Sequence, residues 1–173
     1  MAQVIWENTP DAHDYPAASD YLSLLVAESA LRAELVAQLQ AAPVAHYKAK
    51  DLLRASQLPV LTADNIHVAT DLRKIRKFRP LSPVLLVRGD LLRGFPLQIA
   101  DGYHRVCASY YTDENTDIPC RMIDLPIPTA PRARSPRAPQ KAAQKAPQSI
   151  SARGPGTNGR AAAIGAGGTL EST

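Results

Sequence analysis

Read for its apolar spacing, the chain falls into helix-length and strand-length segments set off by proline and glycine. Residues 1–18 are polar and interrupted by Pro10 and Pro16, and they read as an irregular lead-in. Ser19 or Asp20 then offers an N-cap for a long helix over residues 21 to about 40, stopped by Pro43. Leu22, Leu25, Val26, Ala33 and Val36 share one face of that helix. Leu24, Leu31, Leu35 and Leu39 widen the apolar arc, so the helix must pack against something. Leu52, Leu53 and Ala55 suit a short helix within residues 47–58. Val68, Leu72 and Ile75 are helically spaced over residues 67–78, with Arg73, Lys74, Arg76 and Lys77 on the other faces, and Pro80 and Pro83 end the element.

The second half of the pattern is strand-like. The continuous apolar run Val-Leu-Leu-Val-Arg at 84–88 has strand length, Gly89-Asp90 turns the chain, and residues 97–100 form a second strand. Asp101-Gly102 makes the next turn, residues 104–111 read as a helix, and residues 118–125 as a closing strand. The fold class this predicts is α+β, a small mixed sheet with flanking helices and an added N-terminal helix. It divides into an N-terminal extension (1–43), a core domain (44–125) and a tail (126–173).

Composition changes the picture mainly at the tail. Residues 126–173 hold 7 of the 15 Pro and 6 of the 9 Gly, with no aromatic residue. Such a segment cannot bury enough apolar surface to offset its ordering entropy, and it is expected to be disordered. It carries 7 Lys/Arg against 1 Asp/Glu, whereas residues 1–125 carry 13 against 15. A weakly acidic body therefore bears a basic tail able to contact nucleic acid or an anionic membrane surface non-specifically, or simply to solubilise the chain. At 45% hydrophobic and 5% aromatic residues, the core must be built mainly of Leu, Val, Ile and Ala. Cys107 and Cys120 lie in apolar runs and read as buried free thiols. The four histidines show no metal-ligand spacing, and no Walker-type or dinucleotide-type glycine pattern occurs. The first residues lack a basic start followed by an apolar stretch and no apolar run approaches membrane-spanning length, so a cytoplasmic location without a membrane partner is expected.

The candidate chemistry gathers on one strand-to-helix turn, Asp101, Gly102, Tyr103, His104 and Arg105. The first turn of a helix presents N–H groups without an internal partner, and the helix dipole adds positive potential there, so anions collect at such sites. Gly102 lets the backbone turn tightly. Arg105 can grip phosphate oxygens and His104 can donate from its ring. Asp101 can cap N–H groups, or orient Arg105 or a metal-bound phosphate. Each residue also has a purely structural use, Asp101 as a cap, Gly102 as a turn residue, and Arg105 as the ion-pair partner of Asp101 or Asp71. Arg73, Lys74, Arg76, Lys77 and Arg79 form a basic run that reads as a solvated helix face, a wall of the phosphate site or a nucleic-acid contact.

From about residue 48 to 125 the segments ATDLRKIRKF, SPVLLVR, LQIADGYHRVCAS and DIPCRMIDL follow one another in an order that resembles the ParB/sulfiredoxin superfamily domain. The resemblance implies that the glycine-containing motif holds nucleotide phosphates, with Gly102, His104 and Arg105 in that role. It further implies ATP, ADP or CTP, with Mg²⁺, as the ligand. Sulfiredoxin-type enzymes carry a nucleophilic cysteine where this chain has Tyr103, so sulfinic-acid reduction is not expected. ParB-type members carry an acidic-Arg-Arg motif and a downstream helix-turn-helix; His104 and the tail composition depart from both. The nearest motif, Asp-Gly-His-His-Arg, belongs to a branch containing small-molecule serine kinases with a catalytic Glu ahead of the first helix. The matching stretch here offers Asp64, Asn65, His67 and Asp71 but no Glu, which leaves a general base unassigned. The expectation is a nucleotide-binding domain, with a kinase-like phosphotransferase as its catalytic form. The alternatives are a DNA-associated accessory protein using residues 73–79 and the tail, and a scaffold whose motif only shapes a helix end.

Overall fold

A computed structural model describes residues 3–125. The segment 126–173, expected to be disordered, lies outside them. The elements run α1 (Asp14–Ser23), α2 (Ser29–Ala41), β1 (Val44–Lys48), α3 (Ala49–Ser56), α4 (Ile66–Arg76), β2 (Val84–Val87), a 3₁₀ turn (Leu91–Arg93), β3 (Gln98–Asp101), α5 (Tyr103–Thr112) and β4 (Asp117–Ile123). The fold is α+β, five helices about a four-stranded mixed sheet in the order β1-β4-β2-β3. Strands β1 and β4 are antiparallel, with Ala45 opposite Cys120. Strands β4 and β2 are parallel, with Leu86 opposite Met122, and β2 and β3 are antiparallel with a register shift between Leu85 and Leu86.

The continuous apolar run of β2 follows from its central position. Successive strand residues face opposite sides, so a strand covered on both faces is apolar throughout. Val84 and Leu86 join one core with Leu52 and Leu53 of α3, Val68 and Ile75 of α4, and Val106 and Cys107 of α5. Leu85 and Val87 join a second core with Ala18 and Leu22 of α1, Leu35 and Leu39 of α2, and Ala100 and Ile123. The sheet thus separates two helical layers. Cys107 and Cys120 are buried free thiols.

Three expectations are corrected. The single long helix is two helices, broken between Ser23 and Ser29. A straight helix rises about 1.5 Å per residue and could not fold both apolar faces onto one small sheet surface. The break lets Leu22 and Leu39 reach the same core, and Arg32 donates to the carbonyls of Val26 (2.8 Å) and Ala27 (2.7 Å) that the break leaves open. The lead-in is not irregular throughout. Helix α1 begins at Asp14 and takes Pro16 in its first turn, where a missing N–H removes no helical bond. Trp6 also forms a parallel bridge to Leu81. Finally, residues 44–48 form an edge strand that the spacing of Val-Ala-His-Tyr-Lys does not announce.

Candidate functional site

The turn after β3 is built as the sequence anticipates, but its side chains take unequal parts. Gly102 is the N-cap residue of α5 with φ 100°, in the left-handed region, and no side chain caps the helix. A Cβ on Gly102 would stand 2.9 Å from Val84 Cγ2 and 3.1 Å from Arg105 Nε. Both the conformation and the space therefore require glycine. The first-turn N–H groups of α5 point away from the helix, as helix geometry demands, without an intrahelical partner.

Arg105 turns inward. Its guanidinium donates to Asp14 Oδ2 at 3.2 Å and Asp14 Oδ1 at 3.3 Å, to the carboxylate of Asp101, and to the carbonyls of Ser82 (2.9 Å) and Pro83 (3.2 Å). Asp14 is almost fully buried and receives further bonds from the Ser82 hydroxyl and the Asp11 N–H, the latter at 3.0 Å. The side chain of Asp101 therefore orients Arg105 and does not cap α5. One cation stands between two carboxylates, and their titrations separate. Burial works against the charged form of Asp14, but Arg105 and Ser82 outweigh it and hold the pKa below the usual carboxylate range. At Asp101, burial and the neighbouring Asp14 charge outweigh Arg105 and push the pKa up to about 6. Tyr103 faces the other way and its hydroxyl donates to the Pro59 carbonyl, tying the start of α5 to the loop before α4.

His104 lies against His67 of α4, ring centroids 4.7 Å apart and planes tilted by 39°. Burial, then the charge of His67, lowers its pKa, with Asp71 opposing. These rings, with Thr70, Asp71, Lys74, Asp101, Gly102 and Arg105, line a cavity of about 210 Å³ between α4 and the start of α5. Asp71, Lys74, Asp101 and Arg105 also form a wall of a second cavity, about 340 Å³, closed by Glu7, Asp11, His13, Asp14, Arg79 and Ser82 among others. Lys74 pairs with Asp71 at 3.4 Å and borders both spaces.

Of the basic run, Lys74 and Arg79 face this region, whereas Arg73 donates to Thr70 and Arg76 to the Leu72 carbonyl. Sequence reasoning missed Glu7, Asp11, Asp14 and Ser82. Acidic residues are enriched in the first turn of a helix and proline is tolerated there, and Asp14-Tyr15-Pro16 carries both signals. Nothing local marks Ser82. Among the described residues no group of three His, Cys, Asp or Glu side chains is disposed to hold a metal ion. No described helix is long and apolar enough to cross a membrane.

An apolar cavity of about 480 Å³ lies elsewhere, between α3 and the 89–97 loop. Its rim arginines are already paired, Arg54 with Asp51 at 3.7 Å and Arg88 with Asp124 at 2.6 Å, and no candidate chemistry borders it. Compared with known proteins, the chain matches no family model, no curated protein and no solved structure.

Proposed function

We propose that the turn 101–105 and the facing side of α4 hold the phosphates of a nucleotide, in a domain of the ParB/sulfiredoxin-like type. The observation that carries this reading is the uncapped start of α5, opened by Gly102 at φ 100°, beside a cavity walled by Lys74, His67 and His104. Backbone N–H groups, a dipole and nearby imidazole and ammonium donors are the groups phosphate oxygens require. Gly102 and His104 meet the ligand, with the backbone N–H of Tyr103, while Arg105 and Asp101 hold the turn in shape from behind. The order of elements, with β3 entering the turn and β4 closing beside β2, is the order the family resemblance implies and supports it. Magnesium would arrive on the nucleotide phosphates, since among the described residues the side chains form no protein cage for it.

The test is titration calorimetry with ATP, ADP and CTP in the presence of Mg²⁺, paired with thermal unfolding. One nucleotide should bind, and at about 100 times its dissociation constant should add roughly 2.7 kcal/mol of stability. Lys74→Ala and His104→Ala should each weaken it at least tenfold with little change in the unliganded midpoint. Failure of all three nucleotides to bind at millimolar concentration would overturn the reading.

A further inference from the structure

The two histidines at the mouth of the cavity are the least explained feature of the site. His67 comes from the first turn of α4 and His104 from the first turn of α5, so two separate elements converge to set one imidazole against the other, ring centroids 4.7 Å apart. A pair that served only packing would be expected in the core, yet His67 is exposed and both rings border the 210 Å³ cavity.

The charges around the pair are few. Helix α4 presents Asp71 and Lys74, β3 presents Asp101, and α5 presents Arg105 and the Tyr103 phenol. Asp71 pairs with Lys74 and opposes the lowering of the His104 pKa, and Asp101, whose own pKa is pushed up to about 6, pairs with Arg105. Neither is left to neutralise two imidazolium ions in contact. Two like charges that close disfavour one another, and the second proton is held only when negative charge is brought in. A tetrahedral dianion in the cavity brings that charge to the imidazole edges and to Lys74 together.

We propose that His67 and His104 form a proton-accepting pair that binds a terminal phosphomonoester, the dianionic end of a phosphate chain, with uptake of a proton on binding. This rests on the phosphate-binding reading of the same cavity and adds to it a binding residue, His67, a preference for a terminal over a diester phosphate, and a dependence on pH. The proton comes from solvent and goes to a ring nitrogen, and no covalent bond changes. Lowering the pH supplies the proton that the pair takes up, so affinity for a dianion rises as pH falls from 8 towards 6; below about pH 6 a phosphomonoester carries that proton itself and the gain ends.

The probe is inorganic sulfate, a tetrahedral dianion that does not titrate in this range, measured by calorimetry on the full chain at constant ionic strength. For one proton taken up, affinity changes by up to about tenfold per pH unit. Sulfate should therefore bind at least ten times more tightly at pH 6 than at pH 8, and heats in two buffers of different ionisation enthalpy should report proton uptake. His67→Gln, at an exposed position, should fold normally and reduce the pH effect to under twofold, and His104→Gln should do the same. Equal sulfate affinity at the two pH values, or a His67→Gln protein that keeps the parent's dependence, overturns the pair. If ADP binds while sulfate does not, or binds independently of pH in every variant, the proton-linked pair fails and the nucleotide site stands. If neither sulfate nor any of ATP, ADP and CTP binds at pH 6, both fall together.

Discussion

At the scale of single residues, Arg105 decides how the turn behaves. The sequence alone allows it to face either a ligand phosphate or Asp101; in the fold it faces Asp101 and Asp14 together, with two backbone carbonyls completing its contacts. Removing one partner of a buried pair leaves an uncompensated charge, and Asp14 has a side-chain exposure of only 3%. Arg105→Ala should therefore destabilise the protein by about 3–5 kcal/mol in urea denaturation. Arg105→Lys should recover little, because an ammonium cannot reach two carboxylates and two carbonyls from one point. A loss near zero would show that Asp14 does not depend on this cation. Asp101 gives a pH signature of opposite sign to its neighbour. Its folded pKa of about 6 lies above the usual 3.8, so the folded state holds this proton more tightly than the unfolded chain. That contribution is fully present below the unfolded value and lost as pH rises through 6. Asp14, with a lowered pKa, contributes above the unfolded value and loses its contribution as pH falls. Asp101→Asn removes the first effect only. Compared with that variant, the parent should lose stability between about pH 4 and pH 7, and denaturation midpoints at the two ends measure it; a constant difference between the two proteins would contradict the assignment.

At the scale of elements, α4 carries the larger share of the site and depends on one cap. Asn65 Oδ1 accepts from the N–H groups of His67 (3.1 Å) and Val68 (3.4 Å), fixing the turn from which His67 projects. Asn65→Ala should cost about 0.5–2 kcal/mol of stability, read by thermal unfolding. It should also weaken ligand binding, since fraying at the first turn moves His67 before it moves Lys74. A variant with unchanged midpoint and unchanged affinity would show that α4 starts without this bond. Helices α4 and α5 and strands β2, β3 and β4 lie within two residues of where the periodicity and the Pro and Gly punctuation put them. Their apolar spacing matches a single local period, and their ends coincide with Asn65, Gly102 and proline. The break between α1 and α2 is different. Leu24 and Leu25 continue the apolar pattern through it, and both are exposed, 80% and 55%, because the pattern there is satisfied by no partner. The strand β1 has the opposite difficulty: it pairs only along one edge, and its mixed residues record β4's company and not a period of their own.

At the scale of the whole molecule, the N-terminal segment is an integral layer. Helices α1 and α2 cover Leu85, Val87, Ala100 and Ile123, the face of the sheet opposite α3, α4 and α5, and α1 alone supplies the Asp14 carboxylate to Arg105. A protein beginning at Val44, the boundary that the core-domain division of the sequence suggests, should lack a cooperative thermal transition and should bind the hydrophobic dye used to detect exposed apolar surface. A sharp transition with the parent's midpoint would show the remaining layer to be self-sufficient. What the sequence by itself determined is the class of fold, most of the elements and the turn on which the candidate chemistry sits. These are written in local period, in caps and in glycine, which act over a few residues. What only the tertiary structure decided is which charges meet. Asp14, Ser82 and Arg105 are separated by 68 and 23 positions, and His67 meets His104 only because α4 packs on α5. Electrostatic and stacking contacts require distance, and distance between remote positions is set by how the layers close over the sheet, not by any pattern within either segment.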